Sequence, residues 1–453
     1  MIALCCLATL LSAASTGELR LEEAQLGTIP EGIVLEGEPI RDPDGNLWPV
    51  VHRVQWSPDG RRVAYVGIKD DKTHAVIGAE VLDSYHYLSA PVFSDDSAHV
   101  AFRAGNRTSA KAERWWVLLD GKETGAEDWI GVVHFRPGSN ELCYWTQPGA
   151  RIGSMGEYTG GDLVLRVGKQ KSKRWDDANA LMPLSFSADG SVIASPAMRD
   201  GKWYPLLFDK KGERKVKKKA GLGMVTALAL APDGKDVALS CPDPRATSPD
   251  MPDLPPGMAP PAGMFGMKLV VMHDKDVYGR DEDGAGRPVF SPDSKSLAYK
   301  LLDGDSMAIA IDGKAPVPVP NGFVYTPVWS PDSKRIAYAV NEGGVVDPFW
   351  RLGAEGDTAI KGGKVRVVHH DKRGKDLERS EEYLEARDVT WKADGASIAF
   401  CARTEAGWVV VCGEQESPVF DEVGVPSFSP DGSKLCFGAR TGRELWWRIM
   451  EVK

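Results

Sequence analysis

The sequence predicts an all-β protein, a single β-propeller of about nine (eight to nine) four-stranded blades, the ring closed by pairing the N- and C-terminal strands. Three observations carry this: a turn-and-strand motif that recurs nine times, the spacing of the copies, and half-motifs at the two ends that complete one another. Composition agrees. Over 453 residues, 48 Gly and 31 Pro accompany 42% hydrophobic and 26% charged residues, a mixture that favours short strands and tight turns over long helices.

The motif is an aromatic residue or Leu, a small or polar residue, a Pro/Asp-type turn and an apolar strand. It reads WSPDGRRVAYV from Trp56, FSDDSAHVAFR from Phe93, FRPGSNELCYW from Phe135, FSADGSVIASP from Phe186 and LAPDGKDVALS from Leu230. Four more copies follow: FSPDSKSLAYK from Phe290, WSPDSKRIAYA from Trp329, WKADGASIAFC from Trp391 and FSPDGSKLCFG from Phe428. Pro in the second turn place presets φ, Asp in the third accepts local backbone hydrogen bonds, and Gly in the fourth takes positive φ at little cost. Gly fills that place at Gly60, Gly190, Gly234, Gly395 and Gly432, whereas Ser97, Ser139, Ser294 and Ser333 replace it. The strand after each turn, such as Val63-Ala64-Tyr65-Val66, is apolar on both faces, as befits a sheet with neighbours on both sides.

The shorter intervals, from Trp56 to Phe93 and from Trp391 to Phe428, approach the roughly 40 residues that four short strands require. A third strand ends in an Asp-Gly turn at Asp120-Gly121 and Asp312-Gly313. At the ends, residues 32–38 resemble the late part of a repeat, and residues 444–450 follow the ninth hairpin with no late strand after them. Pairing them would complete a blade and remove two open sheet edges. The degenerate hairpins at Phe186 and Leu230 leave eight blades as the alternative count.

These WSPDG and FSPDG hairpins, each followed by an apolar strand, resemble the repeats of TolB-like, WD40-like (PD40-type) propellers, over residues 33–453. The resemblance implies the fold. Such propellers serve as protein-interaction platforms at the bacterial envelope and as non-catalytic gating domains in prolyl oligopeptidase relatives, so the implied role is binding.

Domain organisation is read as a signal peptide over 1–16, an extension over 17–32 and the propeller over 33–453, with insert loops at 242–267 and 341–363. An apolar run from Ile2 to Leu11 followed by small residues suits signal-peptidase cleavage, although no Lys or Arg precedes it. Localisation is then periplasmic or extracellular. No later stretch is apolar over the roughly 18 residues a membrane helix needs. A net charge of −9 disfavours nucleic acid as a partner, and the basic run over 210–219 reads as a solvated strand and turn.

Five cysteines remain beyond the leader: Cys143, Cys241, Cys401, Cys412 and Cys436. They read as buried thiols, with a Cys401–Cys412 disulfide as the alternative. The Pro- and Met-rich stretch over 242–267 reads as a projecting loop, with thioether capture of Cu(I) as a sharper alternative. On the second insertion, Phe349 and Trp350 are candidate contact anchors or rings tucked onto the propeller. Adjacent His369 and His370 would face opposite sides of a strand, and are expected at a solvated strand end. Asp42-Pro43-Asp44-Gly45-Asn46 has its Gly too early for a calcium loop and reads as a turn. Gly153-Ser154-Met155-Gly156 lacks the first Gly of a nucleophile elbow, and Cys-x-x-Cys-His is absent. No catalytic, cofactor-binding or metal residue is therefore assigned and no cofactor is implied. The expected function is a non-enzymatic, TolB-like scaffold for protein interaction or ligand binding, monomeric, with a protein or peptide partner held through its face loops. The alternative is an enzyme or small-ligand sensor using a central channel.

Overall fold

The computed structural model describes residues 18–41, 47–51, 53–109, 112–152, 158–215, 222, 224–245, 268–315, 317–320, 322–346, 360–375 and 377–453. The expected leader, the Asp42–Asn46 turn, the 153–156 stretch, most of the 242–267 loop, the end of the basic run and the Phe349-Trp350 pair lie outside them. Among the described residues all regular elements are strands. They build nine small antiparallel sheets of four or five strands, each opening on one of the nine hairpins, and three two-stranded pairs. The copies at Phe186 and Leu230 form sheets of their own, at Ser185–Phe186 with Ile193–Arg199 and at Ala227–Leu230 with Val237–Pro242, which settles the count at nine.

The chain forms two compact units, Ser185–Ser417 with five of the sheets, and Ala8–Leu184 with Pro418–Lys453 carrying the other four. Within each, apolar faces of consecutive sheets make the core. Ile309, Val319 and Val340 pack with Trp329 and Tyr338 in the larger unit, while Val66, Val100 and Phe102 pack with Tyr85 in the other.

The turns explain why the motif has its composition. In Ser57-Pro58-Asp59-Gly60 the Gly60 N–H donates to the Ser57 carbonyl at 2.9 Å and Gly60 sits at φ +75°. The buried Ser57 hydroxyl donates to Asp59 Oδ1 at 2.7 Å and accepts the Arg62 N–H at 2.9 Å, so neither of its hydrogen-bonding roles is wasted in the interior. The same Ser–Asp bond recurs at Ser94–Asp96, Ser187–Asp189, Ser291–Asp293, Ser330–Asp332 and Ser429–Asp431. Hydroxyl and N–H donors from Ser187 and Ser191 hold the Asp189 carboxyl down at about 2.

Where Ser replaces the turn glycine, three copies keep the left-handed geometry: Ser97, Ser294 and Ser333 lie at φ +61°, +62° and +64°. Each hydroxyl accepts the N–H of the turn aspartate in the preceding sheet of its own unit, Asp59 at 2.9 Å, Asp233 at 3.0 Å and Asp293 at 3.0 Å. The strained backbone is thus offset by a bond between blades that glycine cannot make. The fourth copy differs. In Arg136-Pro137-Gly138-Ser139 the glycine comes one place earlier and takes φ +67°, giving the type II geometry that spares Ser139.

Closure of the ninth sheet departs from expectation. Ala24–Thr28, not residues 32–38, pairs antiparallel with Glu444–Glu451, with Ala24 opposite Trp447 and Thr28 opposite Glu444. Residues 32–38 are claimed by other partners: Val34 bridges Ile68, buried Ile33 fills the space over Gly67, and Glu36–Arg41 pairs with Leu47–Val51. The Arg443 guanidinium donates to the Ile29 carbonyl at 2.8 Å and the Ile33 carbonyl at 3.2 Å, and Trp447 Nε1 donates to the Arg20 carbonyl at 2.8 Å. Gly438 has no side chain because the Trp56 indole occupies that space.

Two side-chain expectations resolve. All five cysteines are buried and none forms a disulfide; Cys401 lies opposite Val410 and Cys412 opposite Ala399, so the two thiols are out of register. His369 and His370 are not solvated: Lys364–Asp371 is flanked on both sides by strands, and both rings are buried. They do face opposite ways, His370 Nε2 meeting the Tyr338 hydroxyl at 3.1 Å and His369 meeting Trp391 edge-on.

Two measurements follow from this architecture. Ser333→Ala keeps the strained φ and loses the bond to Asp293, so it should cost about 1–2 kcal/mol and speed exchange of the Asp293 amide; Ser333→Gly, which relieves the strain, should be nearly neutral in denaturant titration. Equal effects of the two would contradict the account. For His134, whose Nε2 accepts the Leu184 N–H at 3.2 Å, burial lowers the pKa from 6.5 to about 4. A depressed folded-state value means stability is complete above the unfolded pKa and declines as pH falls from 6.5 toward about 4. The denaturation midpoint should drop over that window, and His134→Gln should flatten part of the slope.

Candidate ligand-binding site

The site is set by strand register. Val100–Ser109 pairs with Ala112–Leu119 so that Arg103 opposes Val117, Gly105 opposes Trp115 and Arg107 opposes Glu113, while Tyr87 pairs with Gly105 from the other side. Alternation along the strands therefore puts Tyr87, Arg103, Gly105, Arg107, Glu113 and Trp115 on one face. Gly105 is the gap in this row. A Cβ there would come within 2.6 Å of the Trp115 indole, and its absence lets that ring lie over the backbone and stack on Tyr87 with centroids 5.3 Å apart and planes at 17°.

The next sheet completes the cluster with Trp129 and with Tyr158, from the small hairpin of Arg151–Ile152 and Tyr158–Thr159. The Arg103 guanidinium lies 4.0 Å from the Trp115 ring centroid and 5.4 Å from that of Trp129, and the Trp129 and Tyr158 rings meet at 5.6 Å. Glu113 is buried. Its Oε2 accepts Trp115 Nε1 at 3.2 Å and the Tyr158 hydroxyl, and Arg107 approaches Oε1 at 3.7 Å. Burial, reinforced by Glu113, raises the Tyr158 pKa, so this hydroxyl stays a donor.

Two donors in this cluster have no acceptor: Arg103 Nε and Trp129 Nε1, both buried. Among the described residues no carboxylate comes within ion-pair distance of Arg103. Burial lowers its pKa, to about 10, which still leaves it cationic at neutral pH. Arg103 keeps a partial opening to solvent, Tyr87 is 38% exposed and half of the Arg107 side chain is free of cover. The arrangement offers an aromatic wall, a fixed cation and hydrogen-bond donors at a solvent-facing edge.

Sequence reading assigned no site, and none of these residues was singled out by it, because Tyr87, Arg103, Trp129 and Tyr158 come together only through pairing register. The available signal was the alternation Arg103-x-Gly105-x-Arg107 against Glu113-x-Trp115-x-Val117. The expected insertions begin at the same end of their sheets, where second and third strands join: Asp243 N–H donates to the Lys268 carbonyl at 2.9 Å and its carboxylate holds Arg280 through two contacts of 3.2 Å, and Asn341 ties both feet of the other loop.

Asp236, His273 and Asp274 bring ligand atoms within 4.8 Å of one another. His273 Nε2 already bonds Asp236 Oδ2 at 2.7 Å, and the same strand junction in the second sheet carries His99 and Asp120 at 2.6 Å, so the group serves as a strand fastening. A cleft of about 260 Å³ lined by Glu381, Tyr383, Arg403 and Glu416 has Tyr383 donating to Glu416 at 2.8 Å.

No family model and no curated protein matches the chain. Solved structures do. TolB from Acinetobacter baumannii aligns at 14% identity and TM-score 0.31, over 73% of this chain and 63% of that one. The β-propeller domain of the Trilobed protease from Pyrococcus furiosus aligns at 15% and 0.34, over 72% and 96%, and an oligogalacturonate lyase in complex with manganese at 9% and 0.38, over 96% and 99%.

Gly105→Ala should expel Trp115 from its place over the strand. Near-ultraviolet circular dichroism and the Trp115 indole N–H resonance should both change; an unaltered indole signal would show that the gap is not needed. With nine sheets among the described residues, each opening on its hairpin, the chain has the fold of a nine-bladed β-propeller.

Proposed function

We propose that this protein is a non-enzymatic binding scaffold of the periplasm or extracellular space, engaging a protein or peptide partner at the Tyr87–Arg103–Trp115 edge. The carrying observation is the preorganised cluster of Tyr, Trp and Arg, the residue types that dominate binding energy at interfaces, held rigid by register and by the carboxylate of Glu113. Rigid aromatics lose little entropy on contact, so a preformed patch of this kind favours recognition. The repeats supply the platform and the loop end of the blades supplies the selectivity.

A photo-crosslinking residue in place of Tyr87 should yield a discrete adduct in the native envelope. The same residue in place of Val419, 47% exposed and leading into the ninth sheet instead of the second or third, should yield none. No adduct at position 87, or identical adducts at both, would reject the reading.

A further inference from the structure

We infer that Arg103 is a receptor for a carboxylate, the Asp or Glu side chain of an acidic peptide segment. The inference rests on the binding reading above and deepens it. A guanidinium presents five N–H donors in a planar fork that matches a carboxylate. Here that fork is stacked on Trp115, its Nε is buried with no acceptor, and the buried Trp129 Nε1 nearby also lacks one. Trp129 is only 5% exposed, so its unmet N–H carries the full cost of desolvation.

Among the described residues of the cluster the one carboxylate, Glu113, is already committed. Glu113 accepts Trp115 Nε1 and the Tyr158 hydroxyl and faces Arg107; it acts on the Arg103 charge through space, without an ion pair. Positive charge together with unmet donors selects an anionic acceptor. Planar indole and phenol walls around the fork select a flat group, and a carboxylate is both. The exposed face of Tyr87, stacked on Trp115, gives the adjoining peptide backbone or side chain a surface to lie on. Arg107, with side-chain exposure of 51%, adds long-range attraction for an acidic segment at the rim.

The test uses the full-length protein and three probes: the peptide acetyl-Gly-Gly-Ser-Asp-Ser-Gly-Gly-amide, its twin with Asn for Asp, and sodium acetate. The reporters are the Arg103 Nε–H and Trp129 Nε1–H resonances, assigned by their disappearance in Arg103→Lys and Trp129→Phe. The Asp peptide should shift both signals saturably, the Asn twin should not, and Arg103→Lys should weaken binding by about tenfold or more. Arg107→Gln should weaken it by no more than about threefold, since an exposed rim charge contributes little.

Acetate that competes with the Asp peptide also supports the inference; acetate binding as tightly as the peptide would assign the site to a free small acid instead of a peptide. Equal shifts with the Asp and Asn peptides, no shift at all, or equal losses in Arg103→Lys and Arg107→Gln would overturn it, the unmet donors then being served by water. Failure here while crosslinking at position 87 succeeds leaves the scaffold standing without its carboxylate. Failure of crosslinking while the peptide still binds does the reverse.

Discussion

The left-handed residue that closes eight of the nine hairpin turns is the constraint on which the architecture depends. It turns the first strand back on the second in a fixed register, and that register decides which side chains of the sheet face the next one. Glycine meets the constraint at Gly60, Gly190, Gly234, Gly395 and Gly432 at φ between +65° and +75°. Serine meets it at Ser97, Ser294 and Ser333 by a different balance, in which a backbone strain of about 1–3 kcal/mol is set against a net hydrogen-bond gain of about 1 kcal/mol. The two residue types are close enough in energy for the repeat to accept either. The serine copies gain a direct bond to a neighbouring turn.

This arrangement uses up the polar groups at the turn end of six of the nine blades. The buried serine hydroxyl is shared between an aspartate and a backbone N–H, and the aspartate oxygen takes another N–H. Little capacity is left there for a ligand. The opposite end, where second and third strands meet, is free of that pattern, and the chain departs from its repeat at this end: the long hairpin around Arg107, the small hairpin bearing Tyr158, and the feet of both insertions. The turn chemistry and the departures from the repeat thus sit at opposite ends of the sheets.

The turns were legible in the sequence because their chemistry is local. Pro, Asp and Gly act within four residues, so nine hairpins could be counted from the letters, including the weak ones at Phe186 and Leu230. What the serine that opens six of the turns does was not legible, since its bonds are known only once the turn has closed. Closure by Ala24–Thr28 was missed for a related reason: Ala-Gln-Leu-Gly-Thr has little strand character of its own, and it is Arg443 and Trp447, more than four hundred residues away, that fix it. His369 and His370, adjacent to one another and to Asp371, read as a solvated strand end and proved to lie on a strand between two neighbouring strands. The candidate site was hidden most completely, because Arg103 and Trp129 share nothing in sequence except the pleat that brings them to one edge.

An unpaired guanidinium between two indoles is an expensive thing for a fold to keep. Cation–π attraction of about 1–2 kcal/mol returns only part of what burial of the charge and of its Nε–H removes. A purely structural role would be served at lower cost by an apolar side chain of similar length, or by turning Glu113 toward Arg103. The register forbids neither: Arg103 and Glu113 lie on the same face of the same hairpin. Glu113 instead holds Trp115 and Tyr158, the walls of the cluster, and leaves the cation open. Other buried donors, Trp56 Nε1, the Tyr65 hydroxyl and Arg448 Nε among them, also go without an acceptor; Arg103 stands apart in having no ion-pair partner among the described residues and an aromatic wall at a solvent-facing edge.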